Sequence, residues 1–252
     1  MIKTLLSILF IGISLNAHAL DFSKQIAHVT FNDNAANKTL DDSSVTNNDG
    51  TYSSNSSTTY VEGKIGGAHN DYFANLPFHE AYTFTNISAA IWVKPAALTV
   101  GNAFMAQWNY SNNYRSWYML QDTTTKEKFT VRLSPTGTNT GATYTTSNDN
   151  IFSVDTWTHI AFTYSTTGPT IKLYVNGALI NSTGAPPASL YHAHQPLAFY
   201  NIEAGYGAGD YNGLLDDARV FNYVISENDI KILYNAGHGT EYDFNPQVIL
   251  TD

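Results

Sequence analysis

The chain has 252 residues, 12 Lys and Arg against 21 Asp and Glu, a formal net charge of −9, and no cysteine. The acidic balance argues against holding a phosphate backbone through basic side chains, so nucleic acid is excluded as the expected partner. Without cysteine there are no disulfides, thiolate metal sites or cysteine nucleophile, and stability must come from packing and any bound ion.

Residues 1–19 read as a targeting segment: Lys3 supplies a positive start, Leu5 to Leu15 is an apolar run, and Ala17-His18-Ala19 fits a small-residue cleavage site. The run is too short to span a bilayer, and no second apolar segment follows. The mature chain is therefore expected to begin near Leu20, to be secreted or periplasmic, and to keep no integral membrane segment after signal cleavage. Residues 20–252 suit one β-sandwich domain, with the tail 236–252 either a linker remnant or a last edge strand. Period-two alternation predicts strands at Ala27 to Phe31, Ser88 to Lys94, Ser116 to Leu120, Lys128 to Leu133, Thr158 to Tyr164, Ile171 to Val175, Ala198 to Ile202 and Gly213 to Phe221. The polar stretch 51–60 reads as a loop or edge strand inside the domain. Asn176-Gly177 tolerates the positive φ angles of a type I′ turn and predicts an antiparallel hairpin. Helical periodicity is confined to Ser226 to Asn235, where Ser226 and Asp229 have capping-box spacing and Ile230, Leu233 and Tyr234 share a face.

The blocks "TFNDN", "DDSSVTNNDGTY", "GKIGGAHNDYF", "ISAAIWVKP", "DTWTHIAFTYS", "IKLYVNGALI" and "GLLDDARVFNYVISENDIKILY" resemble, in order and spacing, the laminin-G-like domains of the concanavalin A-like jelly-roll superfamily. Each block is weak alone, but their order over nearly all of the mature chain specifies the fold. The resemblance implies an all-β, two-sheet antiparallel jelly-roll sandwich with one short C-terminal helix.

It also implies a structural calcium site, in which Asp216 joins oxygen donors of the amino-terminal blocks, here Asn32, Asp33, Asp42, Asn48 and Asp49. Calcium takes six to eight oxygens, which one segment seldom supplies. Where the family pattern has Phe-Asp, this chain has Phe31-Asn32-Asp33, leaving open which of Asn32 and Asp33 would ligate. An ion-free alternative explains the adjacent acids differently: Asp217 pairs with Arg219, two residues along on the same strand face, and Asp216 accepts backbone hydrogen bonds in a turn.

Enzyme signatures are sparse. The Glu-x-Asp-x-x-Glu run of laminarinase-type jelly rolls is absent, the six glutamates (62, 80, 127, 203, 227 and 241) form no close pair, and there is no Gly-x-Ser-x-Gly elbow. "GYGAGDYNG" reads as a glycine-rich loop, His192 and His194 as solvated loop residues, and His159 as a packed strand residue. What remains is the aromatic supply of 4 Trp, 17 Tyr and 13 Phe. Trp92 and Trp117 read as core. In the stretch 107–120, taken as a loop, Trp108, Tyr110, Tyr114 and Arg115 lie among Asn109, Asn112 and Asn113, a mixture suited to stacking on sugar rings and binding hydroxyls. The expected function is a secreted, non-catalytic carbohydrate-binding or adhesive module whose partner is a glycan or cell-surface ligand. The alternatives are a protein-binding or structural envelope component and a polysaccharide hydrolase or lyase.

Overall fold

The computed structural model describes residues 20–33, 39–52, 60–69, 73–168, 170–184, 186–202 and 210–240. They form two antiparallel sheets packed face to face. In the first, the neighbours run β14 (Ala178–Thr183), β13 (Thr170–Val175), β12 (Thr158–Ser165), β7 (Ile87–Pro95), β16 (Gly213–Phe221), β5 (Gly67–His69) and β4 (Tyr60–Glu62), and β1 (Gln25–Val29) also pairs with β16. In the second they run β11 (Thr143–Thr146), β10 (Phe129–Leu133), β9 (Tyr114–Gln121), β8 (Ala103–Asn109), β15 (Leu197–Phe199), β6 (Ala74–Leu76), β3 (Gly50–Tyr52) and β2 (Thr39–Leu40). This is the sandwich that the resemblance implies.

Alternation places the core. Ile87, Ala89, Ile91 and Val93 of β7 and Ile160, Phe162 and Tyr164 of β12 face inward, against Phe104, Trp117, Met119, Phe129, Val131 and Leu133 of the second sheet. The intervening residues of the first sheet face outward, where the helix α1 (Glu227–Tyr234) lays Ile230 and Leu233 over Ala90, Ala161, Tyr174 and Phe221. Trp92 is buried on this outer side, stacked on Tyr234 at 5.7 Å, so it belongs to the helix-covered layer and not to the space between sheets. The capping box forms as predicted: the Ser226 hydroxyl accepts from the Asp229 amide at 3.1 Å, and the Ser226 amide donates to the Asp229 carboxylate at 2.8 Å. The Asn176-Gly177 turn also forms, with φ of 47° and 77°, and joins Val175 to Ala178. No described helix is long and apolar enough to cross a membrane.

Several elements differ from expectation. The first strand ends at Val29 because Phe31 takes a left-handed φ of 54°. The predicted strand at 198–202 is only Leu197–Phe199, since Tyr200 at φ 66° breaks the ladder. The stretch 107–120 is not a loop but the end of β8, a tight turn at residues 110–113, and β9. Residues 1–19, 53–59, 203–209 and 241–252, with the targeting segment, most of the polar stretch, most of the glycine-rich loop and most of the tail, lie outside the described residues.

The paired acids sit at an irregularity in β16. Asp216 faces Trp92 of β7 and Arg219 faces Ala90, so three steps on one strand answer two on the other, and Asp217 takes φ 45°. The extra residue lets Leu215, Ala218 and Val220 all point into the core while two consecutive acids stay out of it. Arg219 Nε donates to both oxygens of Asp217 at 2.9 and 3.1 Å, its Nη1 to Gln25 at 3.0 Å and its Nη2 to the Thr240 carbonyl at 2.6 Å. His28 Nε2 of β1 lies 2.9 Å from Asp217 Oδ1. Burial pushes the Asp217 carboxyl up, but the Arg219 charge and the His28 hydrogen bond outweigh it and hold it at about 2. Asp217→Ala, which leaves Arg219 buried without its counter-charge, is expected to cost roughly 3–5 kcal/mol in urea denaturation. A loss under about 1 kcal/mol would show that the pair is not holding β1 to β16.

Candidate functional site

Asp216 does what the ion-free alternative requires. Its Oδ2 accepts from the amides of Lys64 and Ile65 at 2.6 and 2.8 Å, fixing the turn in which the Gly63 amide donates to the Gly66 carbonyl at 2.9 Å. Asn32 holds the same turn by accepting from the Gly67 amide. Burial raises the Asp216 carboxyl to about 8 despite the two amide donors, and its Oδ1 is buried without a partner.

The other proposed calcium ligands are engaged elsewhere. Asp42 Oδ1 accepts from the amides of His28 and Ser44 at 2.9 and 3.0 Å, and Oδ2 from the Thr46 hydroxyl and the Asn48 amide at 2.6 and 3.1 Å. Asp49 accepts from the Asp42 amide at 2.9 Å, and the Asn48 side chain donates to the Pro77 carbonyl at 2.7 Å. Asp33 accepts from the Asp41 amide and the Tyr52 hydroxyl at 3.2 and 3.4 Å, and burial, helped by the like charge of Asp41, raises it to about 7. Asn32, Asp33, Asp42, Asn48, Asp49 and Asp216 thus serve three separate hydrogen-bonded structures. Among the described residues, no group of three or more His, Asp or Glu side chains is placed to hold a metal ion. Asp216 Oδ1 is the one carboxylate oxygen of the set that is buried without a partner, and a calcium ion drawing on these residues stands as a proposal of the resemblance. Asp42 and Asp49 are occupied by turns that short polar sequences make locally, whereas Asp216 reaches a turn far away in sequence.

The outward side of the second sheet carries a different layer. Trp108 of β8 is 1% exposed, packed edge-on against Tyr118 at 4.7 Å and Tyr110 at 5.9 Å. This corrects the expectation of an exposed ring: the neighbouring asparagines belong to the turn, whereas Trp108 lies on the strand before it, opposite Arg115. The Arg132 guanidinium of β10 sits 4.9 Å from the Trp108 ring and 4.3 Å from the ring of Tyr144 on β11, clamped between the two. Its Nη1 donates to the Tyr110 hydroxyl at 3.1 Å and its Nη2 to Asn139 at 2.5 Å. Arg115 lies 4.7 Å from the Tyr110 ring and donates to the Tyr110 carbonyl at 3.2 Å. Tyr144 is 51% exposed and is the accessible face of the layer, and Tyr114, opposite Asn109 at the start of β9, is 41% exposed.

Tyr118, Arg132, Asn139 and Tyr144 were not singled out from the sequence. Their alternation in "FTVRL" and "TYTT" was visible, but only the register Arg132↔Tyr118 and Arg132↔Tyr144 places them beside Trp108. A concavity of ≈ 310 Å³ lies on the first sheet beside the helix start, lined by Thr163, Ser165, Thr170, Lys172 and Tyr174 among others. The Lys172–Glu227 ion pair at 2.9 Å already satisfies its charges. His192 and His194 are exposed and His194 packs on Phe78 at 4.9 Å, while His159 is buried beside Trp92, where burial lowers it to about 4.

A laminin G family model described as the concanavalin A-like lectin/glucanases superfamily matches residues 66–231. The chain belongs to this family. No curated protein matches it in sequence. Among solved structures, the binding domain of Paraclostridial Mosquitocidal Protein 1 is similar, with 15% identity, TM-score 0.65, 85% of this chain and 52% of that one covered. Domain 4 of AbnA, an extracellular arabinanase from Geobacillus stearothermophilus, in complex with arabinotriose, is similar at 20% identity and TM-score 0.61, over 82% of this chain and 97% of that one. The ligand-binding domain of botulinum neurotoxin serotype D, in complex with N-acetylneuraminic acid, is similar at 15% identity and TM-score 0.57, over 84% of this chain and 51% of that one. The chain thus spans about half the length of these toxin domains and nearly all of the arabinanase domain, and at these identities the likeness speaks for fold.

The Asp216 carboxyl is raised well above its ordinary 3.8, to about 8, so the fold favours its neutral form. Its contribution to stability is full below about 4 and is lost as pH rises through about 8. In chelator, Asp216→Asn should therefore gain on the wild type in melting temperature between pH 5 and 8.5. A difference that stays flat with pH counters the assignment.

Proposed function

We propose that the protein is an exported, non-catalytic glycan-binding module whose ligand seats on the outward side of the second sheet. The observation that carries this reading is the half-exposed Tyr144 ring, held flat from beneath by Arg132. A sugar ring presents C–H groups that stack on such a plane, and a ring already fixed by its neighbour loses little freedom on binding. Tyr110, hydrogen-bonded to both Arg132 and Arg115, extends the layer beside Tyr144, and Tyr114 is a further exposed ring at the start of β9. Of the residues expected from the sequence, Tyr110 and Arg115 lie within this layer, Tyr114 is exposed at the start of β9, and Trp108 becomes the buried support. The family and two of the similar structures, solved with arabinotriose and with N-acetylneuraminic acid, support a glycan over a protein partner. Export rests on the amino-terminal segment, and the absence of catalysis on the missing carboxylate-pair motif.

A glycan array on the mature chain, followed by titration of the best polysaccharide, tests the reading. Tyr144→Ala should lose about tenfold or more in affinity, close to 1.4 kcal/mol, while its stability falls by about 0.5–2 kcal/mol with the lost cation–π contact to Arg132. Trp108→Ala should instead destabilise by about 3–5 kcal/mol, because it empties a filled layer. Unchanged binding by Tyr144→Ala, or steady release of reducing ends by the wild type, would count against the proposal.

A further inference from the structure

We infer that the ligand of this face is an acidic glycan, one bearing carboxylates such as uronate or sialate residues; the inference rests on the glycan-binding reading above. The sequence contains three arginines, at 115, 132 and 219. Arg219 has its counter-charge, with Asp217 at 2.8 Å. Arg115 and Arg132 meet no carboxylate among the described residues, and their hydrogen-bond acceptors are all neutral: the Tyr110 carbonyl, the Tyr110 hydroxyl and the Asn139 amide oxygen. Yet both are buried, at 7% and 6% exposed. Buried arginines are ordinarily paired, because an uncompensated charge out of water costs several kcal/mol or more.

Of the five N–H donors a guanidinium carries, Arg132 commits two and Arg115 one to described acceptors. The Nε of each is buried without a partner. Among the described residues, two cations on one face of a chain with net charge −9 are therefore short of both anions and acceptors. Asp122 does not make up the deficit. It accepts from the amides of Thr124 and Thr125 and the hydroxyls of Thr124 and Thr130 at 2.6 to 3.0 Å, and it contacts neither arginine. The acids elsewhere are screened over about 8 Å at physiological salt.

A carboxylate answers the deficit better than a neutral hydroxyl. The planar guanidinium fork matches two carboxylate oxygens, and charge-assisted hydrogen bonds are about twice as strong as neutral ones. Clamping Arg132 between Trp108 and Tyr144 fixes that fork before the ligand arrives. The cation behind Tyr144 also draws electron density from the ring, which favours an anionic neighbour over a cationic one.

The test compares polygalacturonate and alginate, their carboxyl-reduced derivatives, sulfated dextran and neutral arabinan against the full mature chain by titration at two salt concentrations. The expected result is at least tenfold tighter binding of a carboxylated polymer than of its reduced form, an advantage that shrinks as salt rises. R132Q and R115Q, each checked by thermal melt, should bring the acidic-to-reduced ratio close to one, and R132K should retain part of it. Equal binding of acidic and reduced polymers overturns the inference and leaves the glycan reading standing. Sulfated dextran binding tighter than every carboxylated polymer overturns the carboxylate class. Binding of none of the polymers overturns both. Should R132Q fail to fold, R115Q and the reduced polymers still decide the matter.

Discussion

The arrangement of the whole first sheet depends on one inserted residue. β16 lies between β7 on one edge and β1 and β5 on the other, and its pleat must keep Leu215, Ala218 and Val220 in the core. A regular strand would turn either Asp217 or Ala218 the wrong way, since a one-residue slip reverses every following side chain. The left-handed conformation of Asp217 absorbs that slip. It sets two carboxylates side by side outside the core, and each takes up a separate duty. Asp216 fixes the 63–66 turn through backbone amides, and Asp217 neutralises Arg219, which in turn binds Gln25 at the chain's beginning and Thr240 near its end. Within the motif that resembles a metal-binding signature, Asp217 and Asp216 Oδ2 take protein donors, while Asp216 Oδ1 is buried without one.

The two outward sides of the sandwich meet opposite fates. On the first sheet, α1 and the short turn Phe22–Lys24 cover the alternating outward residues, so Trp92, His159, Phe221 and Arg219 are all buried without touching the intersheet core. On the second sheet no described helix plays that part. Trp108 and Tyr118 are buried instead by a layer of their own kind: Tyr110 from the turn after β8, Arg132 from β10 and Tyr144 from β11. An outward layer built from rings and guanidinium groups keeps water from the tryptophan and still presents polar edges, which a helix would not.

Alternation in "ISAAIWVKP" and "THIAFTYS" was legible because apolar and small residues obey the period strictly over seven or more positions. The helix was legible because Ser226, Asp229 and the Ile230–Leu233 spacing agree. The asparagine-rich turn hid the hairpin: Asn109, Asn112 and Asn113 made Trp108 look solvated, although its environment is set across the ladder by Arg115 and Arg132, residues 7 and 24 positions away. The acids of the amino-terminal blocks read two ways for a related reason. Asp and Asn are the residues of ion shells and equally of turns, and only the hydrogen bonds around Asp42 and Asp216 tell the two apart.

Local consistency is broken where a charge is buried without its opposite, and such breaks concentrate where a protein meets its ligand. Among its described residues the protein breaks the rule at Arg115 and Arg132 and keeps it at Arg219, with the same side chain. Arg219 is surrounded by a carboxylate, an amide and a carbonyl, an assignment that leaves no room for a guest and fits a purely structural role. Arg132 has rings above and below, where its charge is tolerated by π electrons and by two neutral oxygens but not cancelled. Cation–π contacts contribute about 0.5–2 kcal/mol, less than the cost of removing an ion from water. The sandwich therefore holds Arg132 in place without satisfying it, and that imbalance separates a surface built to receive an anion from one built only to pack.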